Sequence, residues 1–164
     1  MDPATISFII TALASGAIFV TSAVVEEEVQ EKYRSLKVFI GEKFGLQKSV
    51  EQLENRPTKE RQKLLAEDLA DVIEAEEIEA QDIETINELL NKTKTLTESL
   101  EKLSEKLSKE DFDAIGIDLD NVKAINVKIN NVISEGGAKV LGIKLKNSEF
   151  QGDITAGDIQ AKKK

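Results

Sequence analysis

The sequence predicts an α+β fold that is mainly α: an antiparallel helical bundle over residues 1–111, followed by a short β-rich segment over residues 112–164, built as a β-arch or a small sheet. Three observations carry this expectation. Apolar residues recur at three- and four-residue spacing as far as Leu107 and then alternate with polar ones in short runs. Six of the nine glycines (Gly116, Gly136, Gly137, Gly142, Gly152, Gly157) follow residue 112, whereas both prolines, Pro3 and Pro57, precede it. Charge shifts at the same place, from 24 acids and 14 bases in residues 1–111 to seven acids and eight lysines beyond. A compositional step of that kind marks a boundary between structural regimes, here between Asp111 and Gly116.

The first element is the most informative. From Ala4 to Val25 the chain runs 22 residues without a charge, then turns directly into Glu26, Glu27 and Glu28. As a helix this run reaches roughly 33 Å, against a bilayer core of roughly 30 Å. Ile6, Ile9, Ile10, Leu13, Ala17, Val20 and Val24 make one strongly apolar face, from which Thr11, Ser15 and Ser22 fall away. The same period continues through Val25, Val29, Tyr33, Leu36, Phe39, Ile40 and Phe44, so helix is expected to persist, straight or bent, to Gly41 or Gly45. Gly45 suits a C-cap.

Pro57 and Thr58 open a second helix whose buried stripe is Leu64, Leu65, Leu69, Val72 and Ile73. Glu76, Glu77, Glu79, Asp82 and Glu84 read as a solvated face or a helix entry. Ile83, Ile86, Leu89, Leu90, Leu96, Leu100, Leu103 and Leu107 define a long third helix, interrupted by Thr93. Its seam covers only about three heptads, which favours packing inside a bundle of three or four helices over an intermolecular coiled coil.

Beyond the boundary, Val127, Ile129, Val132 and Ile133, then Val140, Ile143 and Leu145, then Phe150, Ile154 and Ile159 alternate with polar residues between Gly, Asn and Asp. A GIxLxN pattern occurs twice, at Gly116–Asn121 and Gly142–Asn147. A stacked β-arch and an ordinary small sheet both need these features, so the two readings stand side by side.

Composition narrows the function. The chain has no cysteine and no histidine, which removes thiol nucleophiles, thiolate metal sites, the commonest general base and the commonest transition-metal ligand. Asp118, Asp120 and Asn121 lie together but lack the rest of a calcium loop, and no Glu-x-x-His pair is present for a di-iron bundle. One Tyr, no Trp and a net charge of -9 argue against a nucleic-acid partner. No enzyme activity, no cofactor and no metal are expected. The N-terminus carries Asp2 and no base before the apolar run, unlike a secretory signal, so cytoplasmic residence is expected.

The apolar run has three readings: a permanently buried bundle helix, a constitutive membrane anchor, or a conditional membrane segment stored in the bundle and released. Ala12 and Gly16 stand four apart, the small-residue spacing that lets helices approach closely in lipid. The six hydroxyl residues, three Ser and three Thr, tolerate water on one face and make the run less committed to lipid than an ordinary anchor.

An opening of Met1-Asp2-Pro3-Ala4-Thr5-Ile6 leading into a small-residue-rich apolar helix, then Tyr33 to Ile40 (YRSLKVFI), a helical body and a Gly/Asn/Asp-rich C-terminus, resembles the bacterial Bell domains. These are counterparts of the HeLo and HeLo-like domains and of the helical executioner domain of mixed-lineage kinase-like proteins. The resemblance implies a membrane-perturbing, pore-forming effector of bacterial immunity or regulated cell death, cytoplasmic at rest and relocating to the cell membrane. It places membrane action on Ile6, Phe8, Ile9, Ile10, Ala12, Leu13, Gly16, Ile18 and Phe19. It places self-assembly, templated by an NLR-like partner sharing the motif, on Asn147, Phe150, Gly152, Ile154, Gly157 and Ile159. The partners implied are membrane lipid, further copies of the chain and that NLR-like protein. The alternative is a soluble helical-bundle adaptor that docks a partner protein through its β module, with no membrane step.

Overall fold

The computed structural model describes residues 1, 3–22, 26–75 and 80–134, the side chains of 80–82 excepted. Among the described residues every regular element is a helix and none is a strand. They are α1 (Pro3–Val20), α2 (Glu27–Lys43), α3 (Gln47–Asn55), α4 (Lys59–Ala75), α5 (Ala80–Lys106), α6 (Lys109–Ile115) and α7 (Leu119–Ser134).

Local chemistry sets these boundaries. Pro3 starts α1, where its missing N–H costs nothing. The first helix ends sooner than the apolar period suggested, because the hydroxyls of Thr21 and Ser22 donate to the carbonyls of Ile18 and Phe19 at 2.9 and 2.6 Å, and α2 then starts afresh after Glu26. Acids Glu27 and Glu28 in the first turn of α2 and Lys43 in its last complement the helix dipole. Gly45, at φ 67°, supplies the left-handed residue that turns the chain into α3. At the start of α4 the Thr58 hydroxyl accepts from the Arg61 amide at 3.3 Å. Ser108 and Asp111 form a reciprocal capping box on α6, and the bonds from Ser108 hold the Asp111 carboxyl below its usual range.

The β-rich segment expected from residue 112 is corrected through residue 134. Val122, Ile125, Ile129 and Val132 are all buried, at spacings of three and four, and form the inner face of α7. Val127, counted as a strand residue, is 60% exposed on the outer face. The alternation of Val127 with Ile129 was a coincidence of two faces of one helix. The first GIxLxN copy falls on the α6–α7 junction, where Gly116 ends α6 at φ 90° and the Asp118 carboxylate accepts from the Asn121 amide at 3.1 Å, capping α7. The second copy, and the assembly residues Asn147, Phe150, Gly152, Ile154, Gly157 and Ile159, lie outside the described residues.

The core is one apolar cluster drawn from all seven helices except for residues that face solvent. At its middle stands α1, which touches α2, α3, α4, α5 and α7. A helix that is apolar around most of its girth needs neighbours around most of it, and this one has them.

Candidate functional site, the enclosed first helix

Of the nine residues assigned to membrane action, Ile6, Ile9, Ile10, Ala12, Leu13 and Phe19 are at most 2% exposed. Gly16 is buried as well, whereas Phe8 and Ile18 are half-buried and pack against the core. Ala14, Ala17 and Thr5 are equally enclosed. Burying Ile6, Ile9, Ile10, Leu13 and Phe19 stabilises the bundle by about 1.5–3 kcal/mol each. The helix is nevertheless long and apolar enough to cross a membrane. Its 18 residues span about 27 Å, and a core helix of this composition is equally suited to hydrocarbon.

Two hydroxyls on α1 are satisfied within the helix itself. Thr11 donates to the Ser7 carbonyl at 2.7 Å, and Ser15 donates to the Thr11 carbonyl at 2.9 Å. Such back-bonds to the preceding turn travel with the helix wherever it goes, so moving α1 into lipid would leave these groups paired. Ser7 is exposed and Thr11 half-buried, giving α1 one narrow polar edge.

That edge borders a groove of about 500 Å³ between α1 and α4. Pro3, Ile6 and Ile10 form its apolar wall, and Lys59, Gln62 and Lys63 stand at the opposite side. The contact of α1 with α4 is therefore grooved along one side, whereas its contact with α2 is tight at Gly16. There Gly16 sits against Tyr33 so tightly that a Cβ at Gly16 would lie 2.6 Å from Tyr33 Cδ2. Gly16 of the small-residue pair thus serves close helix approach inside the bundle, against Tyr33.

Tyr33 is 4% exposed, and its burial together with the adjacent Glu54 carboxylate pushes its phenol well above the usual tyrosine range. Glu54 in turn pairs with Lys37, linking α2 to α3. Just past the far end of α1, Glu26 pairs with Lys106 at 3.2 Å and Glu28 with Lys102 at 3.8 Å, tying the start of α2 to the end of α5. Sequence periodicity marked Tyr33 only as one more stripe residue. The signal that could have found its partner was Gly16, the single glycine in an otherwise uninterrupted apolar helix.

α7 covers α5 and α1 from the other side. Its junction with α5 is polar: Asn126 Nδ2 donates to Glu101 Oε2 at 2.5 Å, while Asn126 Oδ1 accepts from Asn130 Nδ2 at 2.9 Å and from Thr97 Oγ1 at 3.4 Å. Periodicity could not reveal this cluster, since its members are polar.

Compared with known protein families, residues 1–158 match the model described as the Het-E N-terminal domain. No curated protein and no solved structure matches the chain.

Proposed function

Given that the chain belongs to the Het-E N-terminal domain family, a HeLo-like family of heterokaryon-incompatibility N-terminal domains associated with cell-death signalling, we propose that it is a membrane-perturbing effector whose first helix leaves the bundle and enters the bilayer. The observation that carries this reading is α1 itself: a charge-free helix of spanning length, stored at the centre of a helical bundle, with the Thr11 and Ser15 hydroxyls paired internally. The helix has two environments that bury its apolar surface almost equally well, so modest differential contacts decide which one it occupies. At rest the protein is cytoplasmic; on activation several copies insert together, with the Ser7, Thr11 and Ser15 edge turned toward a wet interior.

Release of a trapped dye from liposomes by the purified chain tests this. Leakage that climbs with protein concentration more steeply than linearly is the expected result. Vesicles that stay sealed at high protein concentration, and never sediment with the protein, overturn it and leave the soluble adaptor as the reading.

A further inference from the structure

The place where α7 ends decides what the rest of the chain can reach. Asp120, at the start of α7, pairs with Lys109 at 3.6 Å, just beyond the end of α5 at Lys106. Further along, Asn126 bonds to Glu101 and Thr97, so α7 runs back beside α5. Ser134 lies eight residues past Asn126, about 12 Å along the helix, level with the middle of α5. Residues 135–164 leave the bundle from there.

At the same level, on the side of α5 that packs against α2, two adjoining grooves of about 600 and 380 Å³ share Glu31, Ser35, Glu88 and Lys92. The first follows α5 from Glu84 to Thr95, a length of about 17 Å. The second reaches Val38, a large apolar side chain left 45% exposed. Lys92 is engaged inside the seam, donating to Ser35 Oγ at 2.9 Å, pairing with Glu88 at 3.5 Å and lying 5.5 Å over the Phe39 ring. Lys32 alone then faces Glu31 and Glu84, both exposed and, among the described residues, in no ion pair. The rim of the seam is therefore acidic.

The chain beyond α7 has the complementary character. Residues 1–134 hold 16 bases and 27 acids, whereas residues 135–164 hold six and four, and residues 139–146 hold three lysines and no acid. Within them Leu141, Ile143 and Leu145 are interleaved with Lys144 and Lys146. The six residues 135–140, two of them glycine, reach up to about 20 Å, enough to cross α5, which is about 10–12 Å wide. The next six match the length of the seam.

We propose that residues 141–146 dock in the groove between α2 and α5 of their own chain, their lysines meeting the glutamates of its rim and their apolar side chains covering Val38. Opposite charge selects the segment, and the short tether favours it over the same segment of another copy. The contact needs no membrane and stands or falls apart from membrane entry.

The chain has no cysteine, so a spin label can be placed at one introduced site. In the isotope-labelled full-length chain, a label at Asn91→Cys, on the exposed rim of the seam, should broaden the amide resonances of residues 141–146. The same label at Leu64→Cys, on the outer face of α4, should leave them sharp. The double variant Glu31→Lys, Glu84→Lys should abolish the broadening with helical circular dichroism unchanged, since both positions are exposed, and adding Lys144→Glu, Lys146→Glu should restore it. Sharp signals under the Asn91 label, equal broadening from both labels, or broadening indifferent to the charge reversal would each overturn the proposal. Mixing spin-labelled chains with isotope-labelled chains that carry no spin label tests the other occupant. Broadening as strong in that mixture as within one chain would assign the groove to the tail of a second copy and overturn the intramolecular contact.

Discussion

The contact between Gly16 and Tyr33 is where a single atom decides how closely α1 and α2 approach. Helix propensity alone favours alanine over glycine at such a site by about 1 kcal/mol. Here the added methyl meets Cδ2, Cγ and Cβ of a buried ring at 2.6, 3.2 and 3.3 Å, and the ring has nowhere to go. Gly16→Ala should therefore destabilise the fold by about 1–3 kcal/mol in urea denaturation, the cost of overpacking outweighing the gain in propensity. Tyr33 also gives the fold an alkaline limit. Its phenol is held neutral above the usual range, so the stability it lends is complete below the unfolded value of about 10 and is lost as the pH climbs beyond it. Because Tyr33 is the only tyrosine and tryptophan is absent, phenolate absorbance reads this group alone. In an alkaline titration phenolate should appear only as the helical circular dichroism disappears. Phenolate forming near pH 10 with helix intact would contradict the buried position.

At the scale of elements, α7 shows what periodicity can and cannot settle. The long stripes of α1, α4 and α5 repeat over four or more turns, and their helices are legible in the sequence to within a few residues. α7 is shorter and rich in β-branched residues, and Val127 and Ile129 mimic strand alternation. Asn126 adds to the confusion by placing an amide on the buried face. Its worth is measurable. Asn126→Ala removes the partner of Glu101, Asn130 and Thr97 at once and should cost about 1–3 kcal/mol. Asn131→Ala, on the exposed face of the same helix, should stay within about 0.5 kcal/mol. Equal effects at the two positions would mean that α7 does not pack through this face. The helix that carries the candidate site was legible for the same reason as the long helices. An uncharged run of 22 residues is a strong signal, and all nine residues assigned to membrane action fall on one described helix, seven of them buried. What composition could not say is that this run forms the centre of the bundle, since burial depends on which neighbours surround it.

For the whole molecule, the two ends of α1 differ. The groove along α4, with the exposed Lys59 on its rim, lies beside the N-terminus of the helix proposed to move. The opposite end of α1 leads into Glu26 and Glu28, held by Lys106 and Lys102 on α5. Such exposed pairs contribute little each, at most about 1 kcal/mol, so the bundle is closed mainly by packing and not by charge. The central claim is then that α1 must separate from α2 for the protein to act on a membrane, and the geometry at Gly16 allows it to be prevented. An ideal Cβ at Gly16 lies 3.3 Å from Tyr33 Cβ, close to the span of a disulfide, and the chain has no other cysteine to compete. The double variant Gly16→Cys, Tyr33→Cys should release dye from anionic vesicles when reduced and leave them sealed when oxidised. Equal leakage in both states would show that α1 acts without leaving α2, and would contradict the account.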